Sequence, residues 1–139
     1  MEDQFLYSYL AGLFDGEGSV MLMKTRSSDV FKAPVLSMTS TTYEFLSLCK
    51  DTFGGSIRRQ KVYKAHYKPS WVWVCRYDRA LNAIEKMLPF IREPEKLRKM
   101  RLLNTEYKLV TPRNGKYTEE QKHAKLQFEL NFYPSSTID

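Results

Sequence analysis

Two pairs of strand-like segments, each pair led by a helix-like one, restrict this chain more than any other feature of its sequence. Ser19 to Arg26 and Ala33 to Thr39 read as strands on either side of a turn at Ser27, Ser28 and Asp29. In the second, Val35, Ser37 and Thr39 fall on one face and Leu36 and Met38 on the other. Ser56 to Lys64 and Ser70 to Tyr77 form another hairpin around residues 65–69, and its second strand, WVWVCRY, is dense in aromatic and β-branched residues. Two hairpins imply one antiparallel four-stranded sheet, with helices packed on one face and the other face free to meet a partner.

The helices follow from a different period. Phe5, Leu6, Tyr9, Leu10, Leu13 and Phe14 recur at three-and-four spacing, with Asp3 as N-cap. Gly16 and Gly18 are expected to end that helix in left-handed backbone. Thr42 opens a second helix to about Phe53, which Gly54-Gly55 stops. Arg79 to Leu88 is a third, ended by Pro89, and Glu95 to Leu109 a fourth. After a loop from Val110 to Tyr117, Thr118 and Gln121 stand in capping-box register at the start of a fifth. The predicted fold is α+β: an αββαββα core over about residues 3–109, plus a C-terminal helix over 118–131, in one domain of 139 residues.

Composition narrows the partners. A net charge of +6 favours phosphates without proving them. No run approaches the 18 or so apolar residues of a membrane helix. The first residues lack a basic signal-peptide region, so the protein is expected inside the cell, in the cytoplasm or an organelle that encodes it, and not secreted. Cys49 and Cys75 lack metal-ligand spacing and sit in apolar runs, as buried free thiols do. His66 and His123 lie far apart, which speaks against zinc.

The chemistry concentrates in Leu10 to Val20, LAGLFDGEGSV. Ala11 and Gly12 are small enough to let another backbone approach. Asp15 and Glu17 then crowd a helix C-terminus that already bears partial negative charge. Such a breach of local rules marks function, and a divalent cation such as Mg²⁺ would relieve it. An acidic surface turn is the plainer reading of a bare Asp-Gly-Glu-Gly, but not of one preceded by Leu-Ala-Gly and two hydrophobic residues.

The stretch Leu10-Ala11-Gly12-Leu13-Phe14-Asp15-Gly16-Glu17-Gly18 closely resembles the LAGLIDADG motif of homing endonucleases, with Phe for Ile, Gly for Ala and Glu for the second Asp. The element order, Phe53-Gly54-Gly55 and Leu88-Pro89-Phe90 are also similar to that family, over roughly residues 5–108. The resemblance implies a sequence-specific double-strand DNA endonuclease. One motif implies a homodimer joined along the first helices, through Tyr7, Ser8, Ala11 and Gly12, on a long and roughly palindromic DNA site. It makes Glu17 and the Gly16 carbonyl ligands of Mg²⁺, for which Mn²⁺ or Ca²⁺ could substitute in binding, and gives Asp15, the helix-end acid beside the site, a part in catalysis with Glu17. A catalytic lysine is expected near the start of the fourth helix: Lys96, with Lys99 or Arg98 as alternatives. Ser40 could order water nearby. An RNA-splicing maturase that binds intron RNA, or a DNA binder that does not cut, is the alternative on the same fold.

Strand alternation then proposes a DNA-reading face. If Ile57 points to the helices, Arg58, Gln60 and Lys64 point away, with Ser37 and Thr39, and with Met21, Met23 and Thr25 of the first strand. Arg26 and Lys32 flank the hairpin tip, and Lys61 and Lys68 suit phosphates. Alternation leaves open whether Trp71 and Trp73 face core or DNA.

Overall fold

The structure is a computed structural model that describes residues 3–61 and 68–134. Its elements run α1 (Gln4–Glu17), β1 (Gly18–Met23), β2 (Ala33–Ser40), α2 (Tyr43–Phe53), β3 (Ser56–Arg59), β4 (Trp71–Arg76), α3 (Tyr77–Met87), α4 (Pro94–Thr105) and α5 (Glu119–Phe132). Short 3₁₀ turns cover Leu88–Phe90 and Lys108–Val110. The four strands form one antiparallel sheet in the order β1-β2-β4-β3. The α+β class, the element order and the extra C-terminal helix all match the expectation.

Register fixes which face is core. Leu36 pairs with Cys75 and Val20, Met38 with Trp73, and Trp73 with Ile57. Those side chains join a cluster with Leu10 and Phe14 of α1, Leu46 and Phe53 of α2, Ile84 of α3, Met100 and Leu103 of α4, and Phe128 and Phe132 of α5. All five helices therefore share the core side. Trp73 is fully buried and its indole N–H donates to the Gly54 carbonyl at 2.8 Å, which satisfies the one polar atom it brings inside. Trp71 is half-buried against the same core, edge-on to Tyr43. Both tryptophans thus belong to the helical side. Cys49 and Cys75 are buried free thiols, and burial pushes both up to about 12.

Local signals account for several ends. Asp3 caps α1 by accepting the Leu6 N–H at 3.0 Å. Thr118 and Gln121 form the complete capping box of α5. Gly54 and Gly55 stop α2 at φ +82° and +98°. Other ends differ. β1 stops at Met23 rather than Arg26, and β3 at Arg59. The fourth helix ends at Thr105, four residues early.

The largest correction concerns α1, which continues through Asp15, Gly16 and Glu17. Gly16 is helical, and Gly18 caps the helix in extended backbone (φ −89°, ψ 162°), so neither glycine is left-handed. Gly18 serves a steric purpose instead, because a Cβ there would collide with the Phe14 ring.

α5 is held at its far end. Arg98 of α4 donates to the Asn131 carbonyl at 2.9 Å and the Phe132 carbonyl at 3.0 Å, and Lys99 stands 5.5 Å from the Phe132 ring centroid. The Tyr133 hydroxyl accepts the Leu22 N–H at 3.0 Å, occupying a backbone group of edge strand β1. No helix among the described residues is long and apolar enough to cross a membrane.

Candidate functional site

The end of α1 and the start of α4 are locked by a reciprocal exchange. The Asp15 carboxylate accepts the Arg92 N–H at 3.0 and 3.1 Å and the Glu93 N–H at 3.0 Å. Lys96 reaches back to donate to the Asp15 carbonyl at 2.6 Å and the Phe14 carbonyl at 3.2 Å. A negative group meets the electropositive helix start, and a positive one the electronegative helix end. Glu93 completes the junction by accepting the N–H groups of Glu95 and Lys96. This tertiary lock carries α1 past Gly16, which local propensity would use to end it, to its cap at Gly18.

The lock sorts the acids of the motif. Both Asp15 oxygens accept backbone N–H groups, so within the protomer Asp15, for which the resemblance implies a part in catalysis, anchors the junction. Glu17 is exposed at the last position of α1 and leads straight into edge strand β1. The lock also sorts the bases. Arg98 is paired with Glu95 at 2.7 Å and spent on the end of α5, and Lys99 lies over the rings of Phe132 and Tyr133. Of the three, Lys96 is the one that bonds to the motif helix. The Ser40 hydroxyl accepts the Thr42 N–H at 2.9 Å and shapes the entry to α2.

Among the described residues, no three His, Cys, Asp or Glu side chains converge as a metal site. The donors at the end of α1 are nonetheless of the right kind for Mg²⁺. Glu17 offers a carboxylate, and the Gly16 carbonyl lies past the last intrahelical bond, from Gly18 N–H to Phe14. Mg²⁺ is commonly bound by one or two carboxylates with substrate phosphates and waters completing the shell. One protomer supplies one such carboxylate, and a second copy would supply another.

The outer face of α1 differs from expectation in one residue. Ser8 and Gly12 are exposed, as are Phe5 at 90% and Tyr9 at 51%. Tyr7 is half-buried, stacked on Phe53 at 6.2 Å. Ala11 turns inward and is 0% exposed in its own protomer's core, so it is not available to another helix. Helical rotation explains this, since Ala11 is about 100° round the helix from Gly12 and three residues before Phe14, with which and with Leu10 it shares the buried side.

The sheet's far face carries the expected polar residues. Ser37 pairs with Val74, and Thr39 and Arg58 both pair with Val72, opposite in parity to buried Trp73. Gln60 is exposed and its side-chain oxygen accepts the Ser70 hydroxyl at 2.9 Å. Lys64 lies outside the described residues. Thr25 and Arg26 are exposed near the hairpin tip, where Arg26 faces Asp29 at 3.7 Å. Lys32 is half-buried, its N–H donating to Glu129 and its ammonium 5.4 Å from the Tyr133 ring centroid. The sequence reading missed Arg76 and Ser56. Register places both on this face, paired with Val35 and Val74. Knowing that Trp73 is core would have assigned them.

No family model and no curated protein matches the chain. Solved structures do. The chain is similar to the group I intron-encoded homing endonuclease I-CeuI complexed with DNA, at 19% identity and a TM-score of 0.61, over 94% of this chain and 63% of that one. It is similar to the LAGLIDADG meganuclease I-CpaMI bound to uncleaved DNA, at 16% identity and a TM-score of 0.57, over 91% of this chain and 41% of that one. The homing endonuclease I-CvuI, in complex with the I-CreI target in the presence of Mg, aligns at 15% identity and a TM-score of 0.53, over 98% of this chain and 87% of that one. The chain thus spans less than two thirds of I-CeuI and of I-CpaMI. At these identities the likeness is one of fold: this four-stranded antiparallel sheet backed by helices is that of homing endonucleases.

Proposed function

We propose that this chain is a sequence-specific double-strand DNA endonuclease that works as a homodimer with divalent metal. The observation that carries the reading is the position of Glu17. It is an exposed carboxylate, fixed by the Asp15 and Lys96 lock, where the helix with an outward stripe of Phe5, Ser8, Tyr9 and Gly12 meets the edge of a sheet whose far face carries Ser37, Thr39 and Arg58. Solved structures of the same fold hold DNA, which supports the choice of substrate.

The residues divide the work as follows. Arg58, Gln60, Ser37 and Thr39 would read base edges, since Arg and Gln can pair bidentately with guanine and adenine. Arg26 and Lys32 would meet phosphates and set the position of the chain on the duplex. The α1 stripes of two copies would pack together and bring two Glu17 carboxylates to one place. Glu17 and the Gly16 carbonyl of each copy would hold Mg²⁺, whose chemistry there is to activate a water and offset charge on the leaving oxygen. Lys96 fixes the carbonyl end of α1 and keeps a positive charge beside the reacting phosphate.

The test is cleavage of a DNA panel bracketing the gene's insertion site, with Mg²⁺ and with EDTA. Cutting in Mg²⁺ alone, lost in Glu17→Gln while DNA binding persists, is the expected result. Cutting undiminished by Glu17→Gln would remove the proposed site. DNA or intron-RNA binding with no cutting under any metal would replace the nuclease with a binding protein or maturase on the same fold.

A further inference from the structure

A cavity of about 640 Å³ lies between the β1–β2 connection and α5, and no residue of α1 lines it. Its volume falls within the usual range for a small-molecule site. Its walls include Phe31, Tyr77, Tyr107 and Tyr117, and Arg26 and Lys122 also line it. Phe31 and Tyr117 meet at 4.7 Å between centroids.

Three further features set it apart from an ordinary surface hollow. Lys125, which also lines the cavity, is 1% exposed. Its ammonium sits 4.0 Å from the Tyr107 ring centroid and donates to the Thr111 hydroxyl. Among the described residues no carboxylate forms an ion pair with it; burial pulls its pKa down to about 8, and the charge of Glu129 opposes that only in part. Lys125 is held by Thr111 and Tyr107 and adds positive charge to the cavity wall, which favours a negatively charged ligand. Tyr77 is the one residue other than glycine, among those described, with a left-handed backbone (φ +55°), and its hydroxyl is hydrogen-bonded to that of Thr25. Such strain persists where surrounding structure imposes it, commonly at functional sites. Finally, the partners of Arg26 and Lys122, the two exposed cations of the lining, hold them weakly. Arg26 faces Asp29 at 3.7 Å with its side chain 80% exposed, and Lys122 faces Glu119 at 3.4 Å, both exposed. A phosphate can displace such surface pairs.

We propose that this cavity binds an unpaired nucleotide, its base against the Phe31 and Tyr117 rings and its phosphate at Arg26 and Lys122. Flat aromatic walls accept any base by stacking, and cations at the edge select the charged form over the nucleoside. The site shares Arg26 with the proposed duplex contacts, but Glu17 does not line it and it does not depend on cleavage. The same chemistry is offered by a free nucleotide and by one turned out of, or ending, a nucleic-acid strand.

The probe is adenosine 5′-monophosphate, titrated into the full chain without metal or duplex DNA and followed by amide and side-chain NMR shifts. Adenosine and inorganic phosphate are titrated alongside. The nucleotide should bind at least tenfold tighter than either part, with shifts centred on Tyr117, Lys122 and Lys125. Tyr117→Ala and the surface change Lys122→Glu should each weaken it fivefold or more, and Glu17→Gln should leave it unchanged. Lys122→Glu lies on an exposed helix face, so its result stands even if Tyr117→Ala fails to fold. A single-stranded hexanucleotide binding tighter than the monomer places the ligand in a strand, and the reverse makes it a free nucleotide; either supports the site. Phosphate binding as tightly as the nucleotide, shifts elsewhere, or Lys122→Glu without effect would overturn it.

Discussion

Lys96 donates to the carbonyl of Asp15 at 2.6 Å while the carboxylate of Asp15 receives the N–H groups that lead into the helix of Lys96. Each residue thus finishes the other's helix, 81 positions apart in the chain. Charge-assisted bonds of this kind contribute about 1.5–3 kcal/mol each when partly buried. Asp15→Ala and Lys96→Met are therefore each expected to cost about 1–3 kcal/mol in urea unfolding. The double variant should cost at least 0.5 kcal/mol less than the sum of the two, flagging direct coupling on the order expected for contacting residues. Simple additivity would show that the two bonds act separately.

Glu17→Gln gives the contrast. The side chain is exposed at the helix end, so its change should move stability by less than about 0.5 kcal/mol. Loss of cleavage with stability intact, measured on the same preparation, separates Glu17 from Asp15. A Glu17→Gln protein as unstable as Asp15→Ala would make both acids structural.

Gly12 is a helix-interior glycine at which an added Cβ meets nothing within 4 Å in its own protomer. Gly12→Ala should then stabilise the isolated chain by up to about 1 kcal/mol. Gly12→Leu should leave the protomer folded and abolish the dimer in sedimentation. A Gly12→Leu chain that still sediments as a dimer places the interface elsewhere.

Arg58 stands on the open sheet face opposite Val72. If it contacts DNA, Arg58→Ala should weaken specific binding by roughly 1–3 kcal/mol and relax preference at one base pair. An equal loss for every sequence, with a salt slope smaller by about 1, would instead make it a phosphate contact.

Lys125 ties stability to pH. Its folded pKa of about 8 lies below the ordinary 10.5 because burial disfavours the ammonium. Between those values the unfolded chain holds a proton that the folded chain has released, so this group makes stability rise with pH across that window. Below pH 8 both states are charged and the burial penalty is in full force. Lys125→Met removes the effect. From pH 7 to 10.5 the parent should gain about 3 kcal/mol on the variant, from 2.5 units at about 1.36 kcal/mol each. Paired urea melts at pH 7, 9 and 10.5 measure the gap, and a constant gap would show that Lys125 titrates normally. The comparison cancels Cys49 and Cys75, whose raised values act in the opposite direction above pH 9.

A little over a quarter of a helical turn, the step between neighbouring residues, separates what could be read from what could not. The order of elements, the Asp3 cap, the Thr118 capping box and the glycines after Phe53 were legible in the chain because each rests on residues within four positions of one another. So was the motif itself, a pattern of glycines and carboxylates with one spacing. The parity of Arg58 and Gln60 followed from a single assumption about Ile57, since a strand has only two faces. The assignment of roles within the motif did not follow. Ala11 and Gly12 are neighbours in sequence, yet one fills the protomer's core and the other faces out. Asp15 and Glu17 are both acids at a helix end, yet only the approach of Arg92, Glu93 and Lys96 decides which is consumed as an anchor. Lys125 reads as one more surface charge until Tyr107, Thr111 and Tyr117 close around it. Sequence determined the pieces, because propensity, capping and alternation act over a few bonds. Only the tertiary structure decided which polar groups are spent on one another, because hydrogen bonds and burial depend on distances in space between residues far apart along the chain.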